Sequence, residues 1–254
     1  VTGDINFVTF LLNPRKTIVT IHDCGPLKTT RGLKRKIIQI IWLKIPTMKS
    51  NFIIANSTAT KNDIIQETHC SSKKIVIIPI SIKPIFKYNY KLFNSLEPRI
   101  LQIGTAKNKN IEILIESLKD IKCCLVIIGK LDEKIKNQVK QHGLKYEFLE
   151  HKLSDKEILE QYQKCDIVSL ISTNEGFGMP IIEANAVGRI VITSNISSMP
   201  EVAGNGALLC DPHDPKSIQT AFNEIISNFF KITIIFKYLT TKMIIIYIFI
   251  NHKF

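Results

Sequence analysis

Residues Glu175–Gly188 read EGFGMPIIEANAVG and follow a short apolar run, DIVSLI, at 166–171. The β-branched run predicts a buried strand, and Pro180 predicts the start of a helix, because proline favours the first helical position. Gly176 and Gly178 leave the backbone bare just before that helix. Exposed N–H groups and the helix dipole attract anions, so this turn predicts a binding site for a diphosphate.

Two carboxylates flank the turn. Glu183 lies one helical turn beyond Pro180, where it can accept hydrogen bonds from ribose hydroxyls, as acidic residues do in dinucleotide-binding folds. Glu175 precedes the turn and is expected to face the crevice at the carboxyl end of the strand. Spacing alone leaves a plainer interpretation open, in which Glu183 complements the helix N-terminus and Glu175 points into solvent.

The alternation of apolar runs and amphipathic stretches extends over most of the chain. It indicates parallel strands buried on both faces and a doubly wound α/β fold. Strands are predicted at 17–21, 51–55, 74–79, 99–104, 124–129, 166–171 and 189–194. Helices are predicted at Leu33–Lys44, Thr58–Thr68, Asn110–Leu118, Glu133–His142, Asp155–Lys164, Pro180–Val187 and Pro215–Ser227.

The rhythm breaks at 81–98, which carries two prolines and is the predicted linker. Residues 99–228 contain enough βα units for a complete nucleotide-binding domain. Residues 1–80 contain only the later half of a similar domain, whose sheet is expected to leave an unpaired edge. The tail at 229–254 is atypical, rich in Ile, Phe and Lys, and lysines break its apolar runs below the roughly 20 residues that a membrane helix needs. A membrane anchor and an aberrant chain end both stay open.

A second anion site is predicted at Gly104–Asn110, GTAKNKN, which follows the strand at 99–104. Gly104 allows a tight turn from strand to helix, and Lys109 at the helix start can neutralise a phosphate. A lone lysine is otherwise an ordinary surface residue. Gly129 and Lys130 follow another strand and are weaker candidates for the same edge.

A third candidate is the segment TIHDCG, where His22 and Asp23 end an apolar strand. A histidine at the carboxyl end of a strand can face a cleft and hydrogen-bond a sugar, although such a pair also serves structural purposes. Ser57 is predicted to cap the helix at 58–68. Ser154 and Glu157 form a predicted capping box.

The segment Glu175–Glu183 closely resembles the Glu-x7-Glu motif of glycosyltransferase family 4, the retaining group 1 glycosyltransferases of GT-B fold. The resemblance continues through ANAVG, VITSNISSMPEVAG and LLCDPHDPKSI and covers about 99–220. It implies a GT-B architecture of two Rossmann-like domains, here with an incomplete N-terminal one. It also implies transfer of a sugar from a nucleoside-diphosphate sugar with retention of configuration and without a metal or other cofactor.

The resemblance assigns roles to named positions. It implies that His22 and Glu175 lie by the transferred sugar, that Glu183 holds the ribose, and that Lys109 binds the diphosphate. Many members place an arginine directly after the glycine where this chain has Thr105. The implied donor-binding residues are Gly104, Thr105, Lys109, Gly176, Phe177, Gly178, Met179, Pro180 and Glu183.

The charge distribution and the cysteine content indicate which classes of partner and which compartment suit this chain. Residues 1–100 carry 16 basic and 5 acidic side chains, and the basic ones interleave with apolar residues around 28–49. This pattern is typical of a solvated surface, or of a face that meets an anionic membrane surface or a phosphorylated ligand. The expected partners are a nucleoside-diphosphate sugar and a glycan or lipid-linked acceptor. The chain lacks nucleic-acid-binding patterns and zinc-ligand spacing. Its six cysteines are interpreted as reduced thiols of a cytoplasmic protein, peripheral to a membrane in the second case.

Three other functions are considered beside sugar transfer. A nucleotide-sugar epimerase of the same fold would bind a similar donor, but the EGFG stretch favours transfer. A nicotinamide dehydrogenase would need a G-x-G-x-x-G fingerprint, which this chain lacks. A catalytically incomplete fragment would bind a nucleotide sugar and transfer nothing, and the incomplete first domain keeps that hypothesis open.

Overall fold

The computed structural model describes residues 3–228, with side chains from residue 6 onward. These residues form two compact units. The first contains residues 3–81 together with 174–178, and the second contains 82–173 together with 179–228.

The first unit is built on a parallel sheet with the strand order β1-β2-β3. Its strands are β1 (Ile18–Ile21), β2 (Phe52–Ala55) and β3 (Ile75–Ile77). Ile18 pairs with Phe52, and Ile53 pairs with Ile75. All three strands lie within predicted ranges. Burial alternates along β1 and β2, so the prediction of strands buried on both faces is wrong for this sheet.

The ends of the helices in the first unit are explained by capping residues, a left-handed residue and a proline. Ser57 caps α4 (Thr58–Thr68) by accepting a hydrogen bond from the Thr60 N–H, and His69 ends it in a left-handed conformation, with φ of 58°. The helix predicted at 33–44 is a longer run, in which a π-helical segment, Gln39–Lys44, separates α2 (Gly32–Ile38) from α3 (Ile45–Met48). That wide turn ends just before Pro46, whose ring would clash with a carbonyl four residues earlier in a regular α-helix. The helices are α1 (Gly25–Thr29), α2 (Gly32–Ile38), α3 (Ile45–Met48) and α4 (Thr58–Thr68), and a 3-10 helix spans Gly3–Leu11.

The second unit is built on a six-stranded parallel sheet with the order β6-β5-β4-β7-β8-β9. The inner strands β7 (Ile167–Leu170) and β8 (Ile190–Ser194) are buried at every position, as the β-branched runs predict. Two further strands, β6 and β9, lie at the sheet edges and were not predicted. The strands are β4 (Arg99–Ile103), β5 (Cys124–Ile128), β6 (Lys145–Leu149), β7 (Ile167–Leu170), β8 (Ile190–Ser194) and β9 (Leu208–Cys210).

The strand order creates a reversal beside β4. The chain proceeds outward from β4 to β5 and β6, then returns to the other side of β4 with β7 and proceeds outward again. This is the order of the doubly wound nucleotide-binding fold, in which ligands bind at the carboxyl ends of the two strands that flank the reversal. The predicted doubly wound α/β architecture is confirmed.

Helices of the second unit follow the strands in alternation. The predicted capping box is present, with Ser154 at the start of α7 (Asp155–Lys164) and the Glu157 side chain accepting a hydrogen bond from the Ser154 N–H. None of the helices within residues 3–228 is long and apolar enough to cross a membrane. The helices are α5 (Ile111–Leu118), α6 (Glu133–Gln141), α7 (Asp155–Lys164), α8 (Met179–Val187), α9 (Met199–Ala203) and α10 (215–228). The tail predicted at 229–254 lies outside the described residues.

Candidate functional site

Loops at the reversal of the second sheet lie against each other. Gly104 follows β4, and Thr173 follows β7. The N–H of Thr173 donates a hydrogen bond to the carbonyl of Asn108 at 2.8 Å, which joins the two loops. The carboxyl edge of β4 and β7 is therefore a single surface, at the place where this fold class holds nucleotides.

Gly104 and Lys109 form one local structure. Gly104 adopts φ of +85°, and a Cβ placed on it would lie 3.1 Å from Cε of Lys109. The aliphatic stem of Lys109 thus folds back over Gly104, toward the end of β4. The predicted helix start at Asn110 is wrong, because Asn110 adopts a left-handed φ of 57° and α5 begins at Ile111. Lys109 instead ends a 3-10 turn, and its stem directs it to the strand edge.

Thr105 lies over the end of the neighbouring strand. Gly129, directly after β5, has φ of +128°, and a Cβ there would approach Thr105 Cγ2 to 2.9 Å. The N–H of Gly129 donates to the carbonyl of Leu149 at 3.0 Å, which extends the pairing of β5 with β6. The glycine therefore permits close packing of the loop that carries Thr105.

Glu183 is half-buried on α8 and has a protein partner. The helix begins at Met179, so Pro180 is its second residue and Glu183 lies beyond its first turn. A carboxylate there interacts weakly with the helix dipole, whose effect is confined to the first turn. The hydroxyl of Tyr162 donates to Oε2 of Glu183 at 2.7 Å. Burial raises the pKa of the Glu183 carboxyl above its usual value, while the Tyr162 hydrogen bond opposes that rise.

The segment 174–178 lies in the first unit and is held there by hydroxyl groups. The carbonyl of Gly176 accepts hydrogen bonds from Ser57 Oγ at 2.7 Å and from Thr60 Oγ1 at 3.1 Å. Both hydroxyl residues are buried. Lys28 donates to Asn174 Oδ1 at 2.6 Å. Ser57 thus has two roles, since it also caps α4 as predicted.

His22 is packed close to this segment through its backbone. A Cβ on Gly176 would lie 2.1 Å from the carbonyl oxygen of His22, so only glycine fits there. The imidazole of His22 is exposed, and Glu175 is half-buried. The neighbouring Cys24 thiol is no nucleophile at neutral pH, because burial raises its pKa to about 12.

The structure brings some predicted residues together and adds others. In the second unit it joins Gly104, Thr105 and Lys109, and in the first it joins His22 to Gly176. Thr60 and Tyr162 were not predicted as site residues, since their contacts with Gly176 and Glu183 bridge separations that local patterns do not reveal. Within residues 3–228, no group of three or more His, Cys, Asp or Glu side chains could hold a metal ion.

Comparison with known families decides the classification. The model of "Glycosyl transferases group 1" matches residues 89–231, more than half of the chain. The chain belongs to this family. Residues 89–231 include β4 through β9, and thus the reversal of the second sheet.

Two curated relatives of this group 1 glycosyl transferase extend the likeness across both units. The O-antigen chain mannosyltransferase RfbU of Salmonella typhimurium is 30% identical over 219 residues, which cover 83% of this chain and 61% of that protein. An uncharacterized glycosyltransferase of Methanocaldococcus jannaschii is 28% identical over 220 residues, covering 83% and 58%. The chain therefore spans about three fifths of the length of these relatives.

Solved structures of the GT-B class share the fold. HepE of Anabaena, in a complex with UDP and glucose, superposes with a TM-score of 0.75 at 16% identity, covering 89% of this chain and 66% of that chain. At this identity the likeness establishes architecture alone. The predicted GT-B fold is confirmed.

Proposed function

We propose that this group 1 glycosyl transferase moves a hexosyl unit from a nucleoside-diphosphate sugar to a glycan or lipid-linked acceptor, with retention of anomeric configuration and without a metal. The observation that carries the proposal is the carboxyl edge beside the reversal of the second sheet, where Lys109 lies over Gly104. Relatives support the chemistry, because RfbU is a mannosyltransferase and HepE was solved with UDP and glucose.

In the proposed mechanism each part of the donor has its own protein groups. Lys109 and the backbone N–H groups of Gly176–Pro180 would stabilise the charge that develops on the leaving diphosphate. Glu183 would accept hydrogen bonds from the ribose. His22 and Glu175 would bind sugar hydroxyls and orient the anomeric carbon, and neither acts as a covalent nucleophile. Phe177 and Met179 would line the donor site.

Calorimetric titration with UDP, GDP, UDP-glucose and GDP-mannose tests donor binding. The Glu183→Ala and Lys109→Ala variants should each bind the nucleotide about tenfold or more weakly, the typical loss for a hydrogen bond to a charged group. Glu175→Ala should weaken binding of the sugar nucleotide while leaving the bare nucleotide unaffected. Unchanged affinity for every nucleotide in Glu183→Ala would refute the ribose assignment.

Assays of sugar transfer and donor hydrolysis separate the main proposal from its alternatives. Transfer with retention, followed by NMR of the product's anomeric proton, is the expected result. Donor binding without turnover would favour the binding-fragment alternative for this chain, which spans 61% of the length of RfbU. Conversion of the bound sugar to its epimer would favour the epimerase alternative.

We also propose a cytoplasmic protein that contacts membranes peripherally. All six cysteines are free thiols, as in a reducing compartment. The helix α2 exposes Leu33 and Ile37 beside Lys34 and Lys36, a combination suited to an anionic lipid surface. Sedimentation with vesicles containing phosphatidylglycerol should recover the protein, and vesicles of phosphatidylcholine alone should not. Equal recovery with both would refute the electrostatic part, and recovery with neither would refute the contact.

A further inference from the structure

Tyr162 is a fully buried tyrosine whose hydroxyl reaches a proposed ligand-binding group. Its exposed fraction is 0%, and its hydroxyl lies 2.7 Å from Oε2 of Glu183. An ionised carboxylate only accepts hydrogen bonds, so the tyrosine is the donor. Burial raises the pKa of Tyr162 well above its ordinary value, and the hydroxyl therefore keeps its proton at any physiological pH.

The ring of Tyr162 is fixed from two sides. Phe86, itself buried, packs edge-on against it, with ring centroids 5.6 Å apart at 90°. The backbone of Tyr162 is anchored as well, because Nε of the buried Arg189 donates to its carbonyl at 2.8 Å. A phenol held in this way offers its proton at one defined point beside α8.

This fixed donor engages only one of the two carboxylate oxygens. Among residues 3–228, Oε1 of Glu183 accepts no hydrogen bond. A glutamate loses considerable side-chain entropy when it is ordered, and a ligand that must order it binds more weakly. Holding Oε2 in advance removes part of that cost and leaves Oε1 for a ligand.

We infer that Tyr162 is a positioning residue of the donor site, which holds Oε2 of Glu183 so that Oε1 is presented to a ribose hydroxyl. The inference rests on the proposed function, in which Glu183 binds the ribose. Phe86, from the segment that precedes β4, fixes Tyr162 in turn.

Deoxynucleotides measure this role directly. Dissociation constants of UDP, 2′-deoxy-UDP and 3′-deoxy-UDP, or of the guanosine series if GDP binds tighter, are compared in the wild type, Tyr162→Phe and Tyr146→Phe. The wild type should lose about tenfold or more in affinity when the recognised hydroxyl is absent. In Tyr162→Phe the affinity for UDP should fall about tenfold. The dissociation constant of the deoxy analogue should then exceed that of UDP by less than about threefold. Tyr146→Phe removes a partly exposed hydroxyl on β6 and should leave both quantities unchanged.

The outcomes distinguish the positioning role of Tyr162 from the ribose-binding role of Glu183, on which it depends. If Tyr162→Phe weakens UDP and its deoxy analogues by the same factor, the tyrosine acts only through general stability and the positioning role is refuted. If the wild type binds no nucleotide, or binds all three equally, the ribose assignment fails and the positioning role fails with it. Phe86→Leu leaves the hydroxyl in place and loosens the ring, so it should reduce the discrimination to an intermediate value. Unchanged discrimination in Phe86→Leu, combined with a Tyr162→Phe variant that does not fold, would also refute the inference.

Discussion

Replacing Gly176 by alanine places a methyl group where the backbone of His22 already lies. The added Cβ would sit 2.1 Å from the His22 carbonyl oxygen and 2.7 Å from Cβ of Asp23. Atoms of this kind essentially never approach within 3.0 Å, so the two segments must separate by about 0.9 Å. The carbonyl of Gly176 resists this shift, because Ser57 and Thr60 donate to it at 2.7 and 3.1 Å.

The cost of this displacement has two parts. Forcing a methylene-sized group into packed structure costs about 1–3 kcal/mol. Breaking one or two buried hydrogen bonds adds about 1 kcal/mol for each, since the donors lose their partner. The free energy of unfolding should therefore fall by about 2–5 kcal/mol. Glu175 precedes the displaced residue, and under the proposed function a shift of order 1 Å in this sugar-binding group should lower the turnover rate about a hundredfold.

Urea denaturation and a donor-turnover assay test this prediction. The matched control is Gly32→Ala in the same unit, where φ is +61° and a Cβ meets nothing within 4 Å. That variant should lose only about 1–2 kcal/mol through backbone strain and keep its activity. Adding Gly176→Ala to a Ser57→Ala background should cost less than in the wild type, because one of the opposing hydrogen bonds is already gone. If Gly176→Ala is no more destabilised than Gly32→Ala and turns over donor normally, the packing argument is wrong.

Three further predictions concern residues of the second unit. Glu183→Gln should stabilise the protein at neutral pH by about 1.4 kcal/mol for each unit by which folding raises the carboxyl pKa. That gain should vanish below the ordinary pKa of 4.5, where the carboxyl is protonated in both states, and grow as the pH rises, so equal stabilities at pH 4 and 7 would contradict it. Asp166→Ala should cost about 3–5 kcal/mol in urea denaturation, because the buried carboxylate accepts hydrogen bonds from Lys91 and from two backbone N–H groups, and a loss below 1 kcal/mol would refute this role. Gly188→Ala meets Tyr88 ring atoms at 2.7 Å, but Tyr88 is 62% exposed and can move, so only the strain of φ at +80°, about 1–3 kcal/mol, should appear in its unfolding free energy.

The sequence predicts the inner strands because strands buried on both faces read as nearly continuous apolar runs. The strands β7 and β8 are mostly apolar, and their buried Ser169, Thr193 and Ser194 do not hide the runs. The edge strands lack such runs. Lys145–Leu149 reads KYEFL and pairs with β5 alone, so its outer positions can be charged or aromatic. Leu208–Cys210 is only three residues long, too short for a periodic signal.

Candidate site residues differ in how far along the sequence their contact partners lie. Glu183 and Gly104 belong to short motifs in which a strand leads into a turn, so local spacing indicates both. Tyr162 meets Glu183 from a separate helix 21 residues away, and Thr60 meets Gly176 across 116 residues. The sequence around Tyr162 indicates only an amphipathic helix. The contact of the Tyr162 hydroxyl with Glu183 is visible only once α7 is packed against α8.

The glycines at the strand ends have a structural reason that the sequence does not indicate. From the sequence, Gly104 indicates a tight turn at a predicted anion site, and Gly129 is a weaker candidate for the same edge. In the structure, the space beside Gly104 is filled by the stem of Lys109, and the space beside Gly129 is filled by Thr105. A side chain at either position would therefore clash with neighbouring protein atoms, whether or not a ligand is bound.

The same holds for Gly176, whose missing side chain makes room for the backbone of His22. Under the proposed function, substitutions at Gly104 and Gly176 would therefore affect donor binding through different neighbouring residues. At Gly104 an alanine would push the cation of Lys109 away from the strand edge, whereas at Gly176 it would displace the segment that carries Glu175. Under the proposed function, this packing would preorganise each loop for the donor, because protein atoms already fix its backbone.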